Sequence, residues 1–142
     1  MPDDNTTTNE AEQADIVTRL EEQIAAALLA VNPNTTASYP DAVWTGSEEL
    51  SWPITVYTVE TATVDTRARA EARIRVTAYV DTFARSRAEA GATAAAVRAA
   101  MLQILPECSM DRTFDNPTAH VVRRAQTYTG ILHVYDGITY SR

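Results

Sequence analysis

The sequence lacks lysine and is poor in cysteine, histidine and glycine. All 12 basic residues are arginines, against 19 aspartates and glutamates, so the formal net charge is −7. Cys108 is the sole cysteine, which excludes an intrachain disulfide, and with only two histidines a zinc site is not expected. The four glycines are isolated, so no glycine-rich phosphate loop is present. We therefore expect a protein that is not an enzyme and binds neither a cofactor nor a metal.

Long apolar runs are also missing. No segment approaches the ~18 apolar residues of a membrane-spanning helix. The first residues, Met1 to Thr6, have neither the basic nor the apolar region of a signal peptide. These features predict a soluble protein that is made in a cytoplasm and has no membrane partner.

Four of the twelve arginines are concentrated in one alternating stretch, Thr66 to Val80. From Ala68 onward its even positions hold only alanine, isoleucine and valine. Its odd positions include Arg67, Arg69, Arg73 and Arg75, which we call the arginine strip. Strict period two predicts a β-strand with one buried and one solvated face. Such a strand would be about 50 Å long. It is long enough to overhang its own core and to need a neighbour, such as another subunit.

The arginine strip has three interpretations. The first is a solvated or ion-paired sheet face, which is routine for half-buried strands. The second is a subunit interface, with Glu48, Glu49 and Glu60 of a neighbouring copy as acceptors. The third is direct contact with DNA. Four arginines in an acidic chain make a small electrostatic footprint for DNA. An acidic chain with one basic strip is well suited to docking like molecules through complementary patches.

Along the chain, residues 1–12 carry four acidic residues and no basic one, which predicts a disordered acidic tail. Residues 13–142 are expected to form a single domain. Apolar residues spaced by four predict an amphipathic helix from Glu12 to Ala30. A connection rich in threonine, serine and proline follows over residues 32–52, with a minor strand near Val43, and is a candidate contact surface.

Two hairpins and a second helix complete the prediction. A strand from Ile54 to Thr61 turns at residues 62–65 into the alternating strand. Residues 81–92 are expected to be irregular or to form the frayed start of a helix. The second helix runs from Arg87 to Leu105 and is stopped by Pro106. The remaining elements are strands over residues 109–114 and 120–134 and a terminal extension over residues 135–142. The fold class is therefore α+β in the order α-β-β-α-β-β, with about four main strands in an antiparallel sheet and two helices on one face.

This order of elements resembles a known family. A helix is followed by an aromatic–proline step into an apolar strand, here Trp52-Pro53-Ile54, and then by an alternating strand, here Ala68 to Val80. An alanine-rich helix ends at Leu105-Pro106, a charged turn follows, and the last strand bears a tyrosine, here Tyr128. Over residues 13–135 the arrangement resembles the tail terminator, or tail-completion, proteins of long-tailed viruses of the lambda type.

The resemblance implies a structural virion protein. Members of this family form a ring, usually of six subunits, that caps the finished tail tube and joins it to the head connector or stopper protein, while DNA passes through the central channel. It implies a location in the neck, at the top of the tail, after assembly in the host cytoplasm. The acidic N-terminal segment and the extension Tyr135–Arg142 depart from the pattern. Another neck protein, a non-viral protein–protein interaction module and a small enzyme therefore stay open as alternatives.

Overall fold

Two helices and a six-stranded sheet build the fold. The computed structural model describes residues 2–39, 43, 46, 50–65, 73–134 and 136–141, with side chains from residue 14 onward. The elements, in chain order, are α1 (Pro2–Val31), β1 (Thr35–Thr36), β2 (Ile54–Asp65), β3 (Arg73–Ala84), α2 (Arg87–Met101), β4 (Glu107–Asn116), β5 (Val121–His133) and β6 (Ile138–Tyr140). The class is α+β, as the sequence predicted.

The sheet is mixed, and its strand order is β1-β2-β3-β5-β4, with β6 beside β5. Its four long strands are antiparallel neighbours, in agreement with the predicted four-stranded sheet. The prediction is corrected by two short strands: β1 runs parallel to β2, and β6 pairs antiparallel with β5 in the expected terminal extension. Strands of two or three residues are too short to show an alternating pattern, so the sequence could not reveal them.

Helix α1 begins at Pro2, although a disordered tail was expected over residues 1–12. The hydrophobic periodicity that defined the predicted helix starts only at Ile16. Helical hydrogen bonds form within the backbone and need no apolar stripe, so periodicity does not mark this start. Proline also fits the first turn of a helix, because its missing N–H would have no intrahelical partner there.

The end of α1 is tied to the start of β2 through one buried side chain. Asn32 follows the helix, and its amide nitrogen donates to the Pro53 carbonyl at 3.1 Å and to Thr55 Oγ1 at 3.0 Å. Its amide oxygen accepts from the Asn34 backbone N–H at 3.0 Å. Asn32, the first residue of the predicted 32–52 connection, is therefore the polar link between the first helix and the sheet.

The β2–β3 hairpin is longer than predicted at both ends. Each strand has 12 residues, and the pairing runs from Ile54–Phe83 to Asp65–Arg73. The turn expected at residues 62–65 is wrong, because β2 continues to Asp65. The irregular segment expected from residue 81 is also wrong, because β3 continues to Ala84. From Val80 to Ala84 every side chain is buried, so the alternation disappears there. The first half of the predicted alternating strand, residues 66–72, lies outside the described residues.

Both helices pack on one face of the sheet, as predicted. The core joins the apolar stripe of α1 to alternate residues of β3 and β5 and to the buried side of α2. Its members include Leu20, Ile24, Leu28, Ile74, Val76, Val97, Met101, Ile104, Tyr128 and Leu132, and Ile16 packs at its margin. The apolar stripe of the predicted first helix and the buried face of the predicted alternating strand therefore meet in this core.

Helix α2 begins with a capping arrangement and ends earlier than expected. The Ser86 side chain accepts a hydrogen bond from the Glu89 backbone N–H at 3.1 Å, and Glu89 reaches back to the Arg85 N–H at 3.3 Å. A serine followed three residues later by a glutamate is the usual signature of such a cap. The helix ends at Met101 rather than at Leu105, and the following turn still buries Leu105.

A second apolar cluster lies on the opposite face of the sheet, at the end where β2 begins. It joins Val43, Ile54, Val56, Phe83 and Val121, with Trp52 and Leu50 packed beside them. The Arg85 guanidinium lies 4.8 Å from the centre of the Trp52 ring and donates to the Gly46 and Ala119 carbonyls. The described part of the 32–52 connection is thereby fastened to the sheet.

The second hairpin contains a bulge and a close approach. The bulge lies in β4 between Cys108 and Met110. Gly130, in β5, faces the turn after α2, and an added Cβ would lie 2.9 Å from Pro106 Cδ and 3.3 Å from Leu105 Cδ2. Gly130 is therefore required by this close contact, which is one of the usual reasons for a glycine inside a strand.

Truncation of the core should be costly, and the chain offers a neighbouring control. Leu28 is 0% exposed and Leu29 is 48% exposed on the same turn of α1. Leu28→Ala should lower the free energy of unfolding by about 2–5 kcal/mol, because it removes buried methyl groups and leaves a cavity. Leu29→Ala should change it by less than about 0.5 kcal/mol. Urea denaturation of both variants measures the difference, and equal losses would contradict the assigned helix face.

Two glycine-to-alanine changes should have opposite signs. Gly91, inside α2, has no atom within 4 Å of an added Cβ. Gly91→Ala should stabilise the protein by about 0.5–1 kcal/mol, because glycine costs that much in a helix interior. Gly130→Ala should destabilise it, because the new methyl group collides with Pro106. Thermal denaturation of the two variants checks this, and stabilisation by Gly130→Ala would refute the close approach.

Candidate functional site

The sheet has a second face that neither helix covers, which we call the outer face. It consists of the odd-numbered residues of β3 and of their paired residues on β2, β5 and β4. At one end it is covered by the second apolar cluster. Elsewhere it is partly accessible: Arg75 and Tyr79 of β3 are exposed, whereas Ala125, Thr127 and Ile131 of β5 are buried. Large exposed side chains gather on it: Tyr39, Tyr79, Met110, Phe114, Ile138 and Tyr140. An accessible sheet face rich in aromatic residues is a candidate contact surface.

The described part of the arginine strip lies on this face. Arg73 and Arg75 project from β3 away from the helices, as the alternation predicted, and Glu60 lies on the same face of β2 opposite Thr77. Arg67, Arg69, Glu48 and Glu49 lie outside the described residues. The structure therefore brings Glu60 next to the strip within one chain.

Glu60 already has a partner of its own. The Tyr79 hydroxyl donates to Glu60 Oε2 at 3.3 Å, and the negative charge of Glu60 raises the pKa of Tyr79. Arg75, the other diagonal neighbour of Glu60 on β3, is exposed, and no carboxylate of the described residues lies within ion-pair distance of it. This guanidinium is available for a contact outside the subunit.

A buried carboxylate anchors the outer face. Asp81 is 6% exposed, and Arg123 on β5 binds it with two nitrogens, Nε to Oδ1 at 3.1 Å and a terminal nitrogen to Oδ2 at 3.2 Å. The Tyr39 hydroxyl donates to the same carboxylate. Partial burial of that hydroxyl and its hydrogen bond to Asp81 raise the pKa of Tyr39 to about 12. Bidentate arginine–carboxylate pairs fix geometry as well as charge, so this end of the face is rigid.

Phe114 lies between two arginines. Its ring centre is 5.4 Å from Arg123 Cζ and 5.5 Å from Arg112 Cζ, and the residue is 38% exposed. Both distances are within the range of cation–π attraction. Arg123 is held by Asp81, whereas Arg112 is exposed and has no carboxylate partner among the described residues. The result is a rigid, partly apolar and positively charged patch on the last strand of the sheet.

A second carboxylate organises the helix side of the same strands. Asp111 on β4 accepts from Arg124 and from Gln126, the latter at 3.4 Å, and pairs with Arg98 of α2 at 3.3 Å. The hydrogen bond from Arg124 holds the pKa of Asp111 below its usual value of 3.8, with Gln126 and Arg98 acting in the same direction. The network joins β4, β5 and α2 through a single side chain.

These two carboxylates were missed by the sequence analysis. It placed Arg123 and Arg124 in the predicted strand over residues 120–134 without assigning partners to them. Both are satisfied within the chain, by Asp81 and Asp111 respectively. Two successive arginines in a strand put one guanidinium on each face. Each then needs a carboxylate across the sheet, and that requirement is the signal that could have identified the aspartates.

Other kinds of site find little support in the part of the chain that is described. Among those residues no three histidine, cysteine, aspartate or glutamate side chains are grouped as metal ligands. Nor does any described helix combine the length and the apolar character needed to span a membrane.

Comparison with known proteins adds no family. No protein-family model matches the sequence, and no curated protein matches it. The functional argument therefore depends on the geometry of the outer face, on the strands that bound it, and on the order of elements.

The Asp111 network predicts an acid-sensitive stability. Because the folded-state pKa of Asp111 is lowered, its contribution is present above the unfolded-state pKa and is lost as pH falls through the folded-state pKa. Asp111→Asn should destabilise the protein near neutral pH, and the difference from wild type should shrink in acid below about pH 3.9. Urea denaturation of both proteins near neutral pH and below about pH 3.9 measures the difference in the free energy of unfolding. Asp15→Asn, at an exposed ion pair on α1, is the control and should have little effect. An Asp111→Asn penalty that does not change with pH would contradict the role of the charge.

Proposed function

We propose that the protein is a tail terminator: a ring-forming virion protein that caps the tail tube and joins it to the head connector or stopper protein. The observation that carries the proposal is the β2–β3 hairpin. Its two 12-residue strands continue past the point where helices cover β2, so that residues 61–64 are exposed on both faces. A small domain with such an arm can place the arm on a different surface of a neighbouring copy, so that the two copies contribute different surfaces to the contact. Contacts of that kind generate rings.

The order of the long elements supports the same proposal. Helix, hairpin, helix and hairpin follow one another, with both helices on one face of the sheet, and this is the arrangement on which the resemblance to tail terminators was based. The aromatic–proline step is part of the second apolar cluster, where Trp52 packs at the start of β2. The proposed partners are further copies of the chain, the tail tube protein and the head connector.

The charge distribution fits a channel through which DNA passes. With a net charge of −7, the protein as a whole repels a polyanion rather than retaining it. The arginine strip then serves contacts between subunits, with Glu48, Glu49 and Glu60 of a neighbour as acceptors. In this proposal the protein resides in the neck of the virion after assembly in the host cytoplasm, and DNA is present only in transit.

The ring can be tested together with its charge dependence. Native mass spectrometry of the wild-type protein should detect a closed oligomer, with six copies expected. Arg67→Glu combined with Arg69→Glu should leave the fold intact by circular dichroism but abolish the oligomer, because the proposed contact becomes repulsive. High salt should weaken the wild-type ring.

Arg19→Glu is the control for charge reversal, because Arg19 is exposed on α1 and pairs only with Asp15 among the described residues. It should leave the ring unchanged. A double variant that still forms rings would refute the charge contact alone. A wild-type protein that stays monomeric at all concentrations, and that does not bind the ends of purified tail tubes, would refute the terminator.

A second candidate function is a host interaction module that docks an acidic protein on the outer face. The observation that favours it is the exposed Phe114 between Arg112 and Arg123. Such a module would be monomeric or dimeric, so the same mass measurement separates it from a closed ring. Another neck protein would form a ring but would bind the connector and not the tail tube.

A further inference from the structure

Among the described residues, the long strands β2 and β4 each have an outer edge with little or no strand beside it. Strand β1 pairs with β2 only at Thr55 and Val56, and no described strand pairs with that edge of β2 from Tyr57 to Asp65. On the other side β4 pairs with β5, and its second edge has no neighbouring strand among the described residues. Open edges expose backbone N–H and C=O groups that can pair with another strand.

The edge of β2 carries little of the protection that proteins use against such pairing. Between Tyr57 and Val64 its sequence is threonine, valine and alanine apart from Glu60, with no lysine or proline. Charged residues, prolines and bulges are the usual devices that blunt an edge. β2 has a register shift only at its far end, between Thr63 and Asp65, and its pairing is regular from Tyr57 to Thr63. The bulge in β4 lies near its start, at Cys108–Met110, and leaves Asp111 to Asn116 regular. A cleft of about 280 Å³ also lies beside the open edge of β2, lined by Glu21, Ala37, Tyr57, Thr58 and Val59.

The strand directions match between the two edges. Each of the pairs β2–β3, β3–β5 and β5–β4 is antiparallel, so β2 and β5 run one way and β3 and β4 run the other. A second copy rotated about an axis along the strands therefore brings its β2 beside β4 of the first copy in antiparallel orientation. Pairing of two different edges is heterologous, and repeated rotation about such an axis gives a ring when the rotation closes.

The charges match as well. A sheet that continues from one copy to the next keeps its two faces, so outer-face side chains meet outer-face side chains. Glu60 on β2 and Arg112 on β4 both belong to the outer face, and both are exposed. Opposite charges across neighbouring strands are favourable. Phe114 and Met110 lie on the same face of β4 and would lose solvent-exposed area.

We propose that β2 of one copy pairs antiparallel with β4 of the next, so that the sheets join edge to edge and Glu60 lies near Arg112 across the new junction. The partner is a second copy of this chain. The inference rests on the proposed ring and specifies which surfaces form it. It adds the open edges of β2 and β4 to the subunit contact proposed for the arginine strip.

Cross-linking between engineered cysteines tests the pairing. In a Cys108→Ser background, Arg112→Cys is combined in turn with Thr58→Cys, Glu60→Cys or Ala62→Cys, three outer-face positions of β2. One of these should bring its Cα within the 4.4–6.8 Å that a disulfide spans. Mild oxidation should then give a ladder of covalent oligomers up to the ring. Each single-cysteine variant controls for pairing of like edges and should give no ladder.

A matched control uses the other face of the same strand. Thr61→Cys and Thr63→Cys are equally exposed but lie on the helix face of β2, so neither can reach Arg112→Cys across a continuous sheet. Loss of the ladder in these pairs is the expected result. A ring without cross-links at any outer-face position, or with equal cross-linking from both faces, overturns the edge pairing and leaves the ring standing.

Exchange of the charges at positions 60 and 112 is a second test of the pairing. Glu60→Arg alone should weaken the oligomer measured by native mass spectrometry, and Glu60→Arg with Arg112→Glu should restore it. Failure of the exchange to restore the oligomer, together with absent cross-links, overturns the inference. Open cross-linked chains that never close would keep the edge pairing and overturn the ring, whereas a wild-type protein that remains monomeric would overturn both.

Discussion

The structure depends above all on the packing of two helices against alternate residues of β3. Ile74, Val76, Ala78 and Val80 are all buried beneath α1 and α2, while the residues between them point to the other face. A shift of one residue in the pairing of β3 would put arginines into that core. Burial of an unpaired guanidinium in an apolar interior costs a large free energy, and this cost fixes the register of β3 with both of its neighbours.

Two carboxylates add polar contacts between the strands to that packing. Asp81 joins β3 to β5 on the outer face, and Asp111 joins β4 to β5 and α2 on the helix face. Each carboxylate is held by arginines across neighbouring strands, so together they fix the relative positions of three of the four long strands. Removing one partner from a pair of this kind leaves a charge without compensation, which costs more than the pair contributes when intact.

The two faces of the sheet consequently have different roles. The helix face is occupied by the core, while the outer face and the strand edges remain for partners. The outer face combines aromatic residues with arginines in an otherwise acidic chain, and the edges of β2 and β4 are open and matched in direction. These features support the proposed assembly of like subunits, and the acidic excess is compatible with the proposed passage of DNA.

The sequence alone determined the α+β class, the order of the long elements, the residues of the main core and the face on which Arg73 and Arg75 lie. These features follow from periodicity, which is local and survives in a single strand or helix. Tertiary structure alone decided that β3 continues through Phe83, that the C-terminal residues add a strand, and that Arg123 and Arg124 are paired within the chain. At Phe83 both faces are buried, which erases the alternation. The arginine pairs join residues 13 and 42 positions apart, and no local pattern records which distant carboxylate a strand will meet.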